Sequence, residues 1–497
     1  MNLFYDFALY LISIALFSFI VIKSKYLGAA FLVIGYLLGM GEFLAYNLAG
    51  EHLDLFTLLR LDIDMLLMVF AIVDSLLYFV IALTFCVTIL AIIRVYKNDT
   101  EYNESLEEVM IVRIFKRINS KPYLTIAIVS FFMLISTNTS NVLLEISKEG
   151  LYYLKYVALS EEEVFNKLGA NKKYTRINDV ISRKGKNLVI IYCESLETAY
   201  MNDALFPELM PHVNKMAEKD FQFYDNYSSL YGTSWTIGAL YATQTGLPCI
   251  FGQTKDFSIN RFDDSRVVTF AKVLKNAGYS NLFLSGSDLE FCGTGKFMQM
   301  LGYEIKNIKD FNKIGEKTAW GVHDLDLFEQ AKIEYKKLLN NNKPFNLTLL
   351  TIDTHFPNGI PDPRIKHKIT IPIDNELEYC VASLDYLLED FYNFIKNQPR
   401  SQDTVLVIIG DHPLMGDSMQ KKFANAPRRM VLMTNGYDMQ YDRNDPVYYY
   451  DIPEMILRTI GVKHNAIFPK DLFEKDYDKI VSDNHAAFAS INLKLNR

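Results

Sequence analysis

The chain has 497 residues, 50% of them apolar, and a formal net charge of −7. That length is too great for one ordinary core and predicts two or more domains. The acidic balance, with no basic tract interleaved with aromatics in the polar part of the chain, argues against a nucleic-acid partner.

The apolar residues crowd into the first third. Segments 7–22, 26–41 and 76–93 carry no charged side chain, and a weaker apolar run covers 123–138. At 1.5 Å per residue each run can cross or nearly cross a hydrocarbon layer of about 30 Å, once flanking polar residues sit at the interface. Buried core helices would carry more charge between them. A cleaved signal peptide fits poorly, because the first run lacks a basic leader and further apolar runs follow it.

Lys23 and Lys25 lie between the first two runs, and Arg94, Lys97, Arg113, Lys116, Arg117 and Lys121 lie between the third and fourth. The positive-inside rule places both loops on the cytoplasmic side. The loop between runs two and three holds Glu42, Glu51, Asp54, Asp62 and Asp64 against Arg60. The expectation is a multi-pass anchor of about four helices over 1–144, with both termini outside. Asp74 interrupts the stretch 65–95, so five spans stay open. A helical linker near the membrane surface is expected over 145–185, and a domain facing the periplasm or cell exterior over 186–497. Cys193, Cys249, Cys292 and Cys380 are scattered through that domain without the short paired spacing of a zinc site, and their pairing is not readable from sequence.

Short apolar, β-branched runs at 187–192, 281–284, 346–352, 404–409 and 429–433 alternate with helix-like stretches. This pattern predicts an α/β sheet covered by helices on both faces. Ionisable residues sit just past several runs: Glu194, then Asp353 and His355, then Asp411 and His412. In open α/β sheets ligands bind outside the carboxyl ends of strands, so distant segments converge there. A lone strand-end carboxylate is usually a helix cap, but Glu194, Asp411 and His412 together are suitable ligands for a divalent cation. The hydroxyl-rich stretch 228–239 then runs into an apolar helix-like segment. A helix N-terminus there would offer free N–H groups and a positive dipole end to a phosphate. A Thr hydroxyl at that point could act as a nucleophile beside a metal, although by itself it reads more readily as a plain Ser/Thr N-cap.

These residues fall into strings that resemble a known family. Asn187-Leu-Val-Ile-Ile-Tyr-Cys-Glu194-Ser-Leu-Glu197, Leu205-Phe-Pro-Glu-Leu-Met-Pro211, Tyr231-Gly-Thr-Ser-Trp-Thr236-Ile237, Gln244-Thr-Gly-Leu-Pro248 and Thr351-Ile-Asp-Thr-His355-Phe-Pro357 resemble the phosphoglycerol transferase I family, which modifies periplasmic glucans. More distantly the chain is similar to lipoteichoic acid synthases and lipid A phosphoethanolamine transferases, within the alkaline phosphatase and sulfatase superfamily. The resemblance implies an alkaline-phosphatase/sulfatase-like α/β domain following a helical membrane anchor, in a bacterial inner membrane. It implies that Glu194, Thr236, Asp411 and His412 hold a single divalent ion, Mn²⁺ or Mg²⁺ in the phosphoglycerol branch and Zn²⁺ in the phosphoethanolamine branch. Thr236 would be the nucleophile, and His355 would contact the transferred phosphate or its alcohol. Trp235, Gly293 and Lys296 are weaker substrate-binding candidates.

The implied reaction moves phosphoglycerol from a phospholipid donor, phosphatidylglycerol, to a glycan acceptor through a covalent threonine intermediate. One departure bears on the head group: Thr294 stands where glucan-modifying relatives carry a Lys, with Lys296 two residues on. A phosphoethanolamine transferase, a sulfatase or phosphatase, and a non-catalytic lipid- or glycan-binding protein are the alternatives. The Cys/Ser-x-Pro-x-Arg string that sulfatases mature is missing around all five cysteines.

Overall fold

The structure is a computed structural model, and it describes residues 41–42, 53–54, 58, 139–170, 179–250, 259, 261–263, 266–318, 320–415, 420–423, 426–438, 440–474 and 476–495. The chain divides into two compact units, Met1–Gly150 and Leu151–Arg497. The apolar runs expected to form the anchor lie almost wholly outside the described residues. Among the described residues no helix is long and apolar enough to cross a membrane. In the first unit, Glu42 accepts the Leu53 N–H at 2.6 Å.

The described strands, in chain order, are β1 (Ser182–Arg183), β2 (Asn187–Cys193), β3 (Gln222–Phe223), β4 (Tyr227–Ser228), β5 (Ser280–Ser285), β6 (Glu304–Lys306), β7 (Phe345–Leu350), β8 (Thr404–Gly410), β9 (Leu432–Thr434), β10 (Val447–Tyr448) and β11 (Lys463–His464). Seven of them form one sheet in the order β3-β9-β8-β2-β7-β5-β6. The run β8-β2-β7-β5-β6 is parallel. At the other edge β9 runs antiparallel to β8, and β3 antiparallel to β9. The domain is therefore an α/β fold with a mixed central sheet.

Every residue of β2, β7 and β8 is buried, which requires cover on both faces. Two adjacent residues of β7 identify the two layers. Phe345 packs edge-on against Tyr335 of helix Asp324–Asn340, with ring centroids 5.4 Å apart. Asn346 points the other way and donates to the Tyr303 hydroxyl at 3.0 Å, which also accepts from Gln244 of helix Thr236–Thr245 at 3.1 Å. Successive strand residues face opposite sides, so these two helices lie on opposite faces of the sheet. Helix Glu376–Lys396 packs on Asp324–Asn340, and helix Phe270–Asn276 on Thr236–Thr245.

One expectation is corrected. The run at 429–433 is a strand only from Leu432, because the preceding backbone bonds elsewhere: Met430 N–H to Tyr227 O and Val431 N–H to Leu196 O, both at 3.0 Å. Gly169 adopts φ 94 and stops helix Glu161–Leu168 in the left-handed conformation that glycine tolerates. Further on, Ser182–Arg183 is extended and pairs antiparallel with β11. The N-terminus of Glu161–Leu168 is set by a capping box in which Ser160 and Glu163 satisfy each other's N–H groups.

Gly410 ends β8 where no side chain fits: a Cβ there would stand 2.2 Å from the Leu196 carbonyl oxygen. Gly410→Ala is expected to destabilise the domain by about 1–3 kcal/mol, as overpacking of a tight interior does, and the shift in denaturant midpoint measures it.

Candidate active site

The register of two parallel strands builds the centre of the site. Cys193 of β2 lies opposite Gly410 of β8, and the Asp411 N–H continues the ladder to Cys193 O at 3.0 Å. Glu194 and Asp411 therefore leave the sheet side by side at its carboxyl edge. The Glu194 backbone is tied to the β7 end as well: its N–H donates to Thr351 Oγ1 at 2.9 Å and its carbonyl accepts from Thr354 Oγ1 at 2.5 Å.

His412 follows Asp411 and turns its ring back over both carboxylates. Its Nδ1–H donates to Pro413 O at 2.8 Å, which leaves Nε2 facing Glu194 Oε1 at 3.3 Å and Asp411 Oδ2 at 3.6 Å. All three side chains are buried, and one potential ligand atom from each lies within 4.8 Å of the others. Asp411 Oδ1 accepts the N–H groups of Ser195 and His412, each at 2.8 Å. Asp411 Oδ2 is buried with no hydrogen-bond partner. Ser195 Oγ donates to Glu194 Oε1 at 2.7 Å.

Burial acts to raise Glu194, but the neighbouring His412 and then His355 hold its carboxyl down at about 2. Burial and the Glu194 charge push Asp411 up to about 7. Burial opposes a charge on His412, yet Asp411 and Glu194 outweigh it and raise the imidazole to about 10. Two carboxylates, one imidazole and a buried oxygen lacking a partner fit a divalent cation as a donor set.

Besides Ser195, a second hydroxyl faces this cluster, that of Thr236, the first residue of helix Thr236–Thr245. Its Oγ1 lies 3.5 Å from Glu194 Oε2, the long edge of hydrogen-bond distance. Thr236 is half-buried, so a substrate can reach it, and the first N–H groups of the helix are those no internal carbonyl satisfies. Thr233 is occupied otherwise: its Oγ1 donates to Leu230 O at 2.7 Å and accepts the Leu230 N–H at 2.9 Å, closing the preceding turn. Trp235 stands at the N-cap and packs over the first turn, where a Cβ on Gly238 would meet its ring at 3.1 Å.

His355 is buried beside this group. Its Nδ1–H donates to Phe356 O at 2.9 Å, and its ring stacks against Phe356 and against Trp320, with the Trp320 centroid at 4.2 Å. Asp353, a strand-end carboxylate two residues earlier, is engaged elsewhere. It pairs with His323 Nδ1 at 2.9 Å and accepts the Asp324 N–H at 2.9 Å. Asp324 in turn accepts the Ile352 N–H at 2.8 Å and the Asp353 N–H at 3.3 Å. Gly293 and Lys296 lie at the start of helix Thr294–Met300. Gly293 takes φ 66 at the entry to helix Thr294–Met300 and donates to Glu290 O at 3.1 Å, while Lys296 exposes its side chain on that helix and Thr294 is buried. Ser195, Thr351, Thr354, His323 and Asp324 are residues that reading along the sequence does not single out. Ser195 and Thr351 adjoin strand ends, but His323 and Asp324 open a helix and read there only as caps.

The fold and the strand-end site together are those of a sulfatase-like α/β domain. The sulfatase family model matches residues 186–454, and the chain belongs to that family. It is 31% identical over 270 residues to phosphoglycerol transferase I of Xanthomonas campestris pv. campestris, which is 52% of this chain and 38% of that protein. It is 29% identical over 291 residues to phosphoglycerol transferase I of Escherichia coli O6:K15:H31, which is 56% of this chain and 36% of that protein. The match thus spans less than two-fifths of these relatives' own length. In fold, the chain is similar to the integral membrane protein lipooligosaccharide phosphoethanolamine transferase A from Neisseria meningitidis, with a TM-score of 0.50 and 15% identity over 92% of this chain and 88% of that one.

Because the two carboxylates keep a proton on His412 up to about pH 10, a cation entering the site after chelation must displace it. Mn²⁺ affinity is expected to rise as pH rises, by up to about tenfold per pH unit from 7 to 9, with proton release on binding. Calorimetry in buffers of different ionisation enthalpy measures both.

Proposed function

We propose that this chain is a metal-dependent transferase that moves phosphoglycerol from phosphatidylglycerol to a periplasmic or surface glycan, through a covalent intermediate on Thr236. The observation that carries the reading is the Thr236 hydroxyl at a helix N-terminus, 3.5 Å from Glu194 and beside Asp411 and His412. It stands in a chain whose curated relatives are named phosphoglycerol transferase I.

In the proposed cycle the Thr236 oxygen forms a bond to phosphorus, and the bond from phosphorus to the diacylglycerol oxygen breaks. The threonine proton is lost and the departing diacylglycerol oxygen gains one. A glycan hydroxyl then attacks the same phosphorus and Thr236 recovers its proton. Glu194, Asp411 and His412 would hold one divalent ion, Mn²⁺ or Mg²⁺ in preference to Zn²⁺, which supplies Lewis-acid stabilisation of the phosphate oxygens and eases ionisation of the hydroxyl. The free N–H groups at the start of helix Thr236–Thr245 face developing negative charge. His355, its Nδ1–H held by Phe356 O, has Nε2 available to meet a phosphate oxygen or carry a proton.

The donor's acyl chains stay in a bilayer, so an anchor in residues 1–144, with 186–497 as the catalytic domain outside the membrane, would hold enzyme and donor at high effective concentration. In membranes carrying the full chain, label from the phosphatidylglycerol head group is expected on glycan, and label from phosphatidylethanolamine is not. Thr236→Ala should lower transfer on the order of 10³-fold or more while leaving the thermal midpoint unchanged. Normal turnover in that variant removes the nucleophile assignment. Glycan labelled from phosphatidylethanolamine instead reassigns the head group.

A further inference from the structure

The turn leaving β2 contains a residue with contacts to both carboxylates of the cluster. Ser195 is buried and adopts φ 51, a left-handed conformation that residues other than glycine seldom take. Its backbone N–H donates to Asp411 Oδ1 at 2.8 Å and its hydroxyl to Glu194 Oε1 at 2.7 Å. One oxygen of each carboxylate is thereby engaged. The other oxygens are placed differently: Asp411 Oδ2 has no hydrogen-bond partner, and Glu194 Oε2 faces the Thr236 hydroxyl at 3.5 Å.

We propose that Ser195 is a positioning residue that orients both carboxylates and so sets the affinity of the site for a divalent cation. This rests on the reading of Glu194, Asp411 and His412 as the ligands of one ion. Each carboxylate could otherwise rotate about its last torsion, and two buried negative groups side by side would turn apart. Partners of this kind, one bond removed from the ion, fix ligand orientation. The left-handed turn brings the Ser195 amide to one ligand while its side chain reaches the other. If Ser195 served only to close the turn, deleting its hydroxyl would alter stability and leave metal affinity alone.

Two variants separate these roles. Ser195→Ala removes the hydroxyl and keeps a Cβ, whereas Ser195→Gly removes the hydroxyl and relaxes the backbone. The full chain in detergent, stripped by chelation, is titrated with Mn²⁺ alone and Zn²⁺ alone in competition with a fluorescent chelator. Both variants are expected to raise the dissociation constant by about 10–100-fold. The metal-free Ser195→Gly protein should melt no lower than the parent, and activity of both variants should recover toward the parent's at saturating metal. Wild-type affinity in both variants overturns the proposal. So does wild-type affinity in Ser195→Gly alone, since backbone strain and not the hydroxyl would then be responsible. A parent chain that takes up neither ion, or an Asp411→Asn chain that binds as the parent does, removes the ligand assignment itself and this inference with it.

Discussion

Two carboxylates emerge side by side, buried, from the ends of paired parallel strands, and that proximity is the constraint on which the site depends. Charges taken out of water at such separation repel and lose solvation, so the fold must supply compensation on the spot. It does so in three ways. Backbone N–H groups of Ser195 and His412 converge on Asp411 Oδ1, the Ser195 hydroxyl engages Glu194, and the His412 imidazole faces both carboxylates. What remains is a surplus of negative charge with one buried oxygen unsatisfied, and the proposed cation would answer it.

The helix beginning at Thr236 must be held against this centre without an amphipathic face to guide it, since Ile237 through Thr245 are all buried. A helix buried all round cannot be oriented by hydrophobicity alone, because every side is equally content in the core. Polar contacts supply the missing orientation. Thr243 meets the Tyr192 hydroxyl at 2.7 Å, Gln244 reaches Tyr303, and Tyr303 in turn accepts from Asn346 of the sheet. From the far end of the chain Asn492 accepts from the Tyr241 hydroxyl at 2.8 Å and donates to the carbonyls of Pro248 and Ile250. These bonds specify rotation and register as packing could not, in keeping with the directional character of buried hydrogen bonds.

The legible part of this fold was the part written in continuous apolar runs. β2, β5 and β8 correspond to their runs within one residue at either end, and β7 within two. A strand buried on both faces is mostly apolar, and a polar residue within it, such as Asn346 of β7, has an internal partner. Direction was not legible: nothing in Leu432–Thr434 distinguishes an antiparallel neighbour of β8 from a parallel one. Edge strands such as β6, with the sequence Glu-Ile-Lys, carry too little burial to leave a pattern. At the site, the strand-end rule singles out Glu194, Asp411 and His412 as a set because each lies within three residues of the end of an apolar run. It also singles out Asp353, which the structure pairs with His323. The difference between those carboxylates lies in what faces them across the fold, and a partner from the start of a helix 30 positions away leaves no local mark. Ser195 is obscure for a similar reason, since its importance lies in a left-handed turn and two tertiary contacts.

Asn492 also bears on the order in which the molecule is assembled. It lies 251 positions after Tyr241 and beyond the segment that matches the sulfatase family model. A chain released from the ribosome N-terminus first exposes the sheet and the helix starting at Thr236 well before helix His485–Leu495 is available, and domains form as their segments emerge. Until His485–Leu495 docks, the carbonyls of Pro248 and Ile250 and the Tyr241 hydroxyl lack the partner that joins them. The seating of the Thr236 helix thus waits on a segment synthesised after all seven strands of the sheet, and a nascent chain can hold most of its sheet before its site is complete.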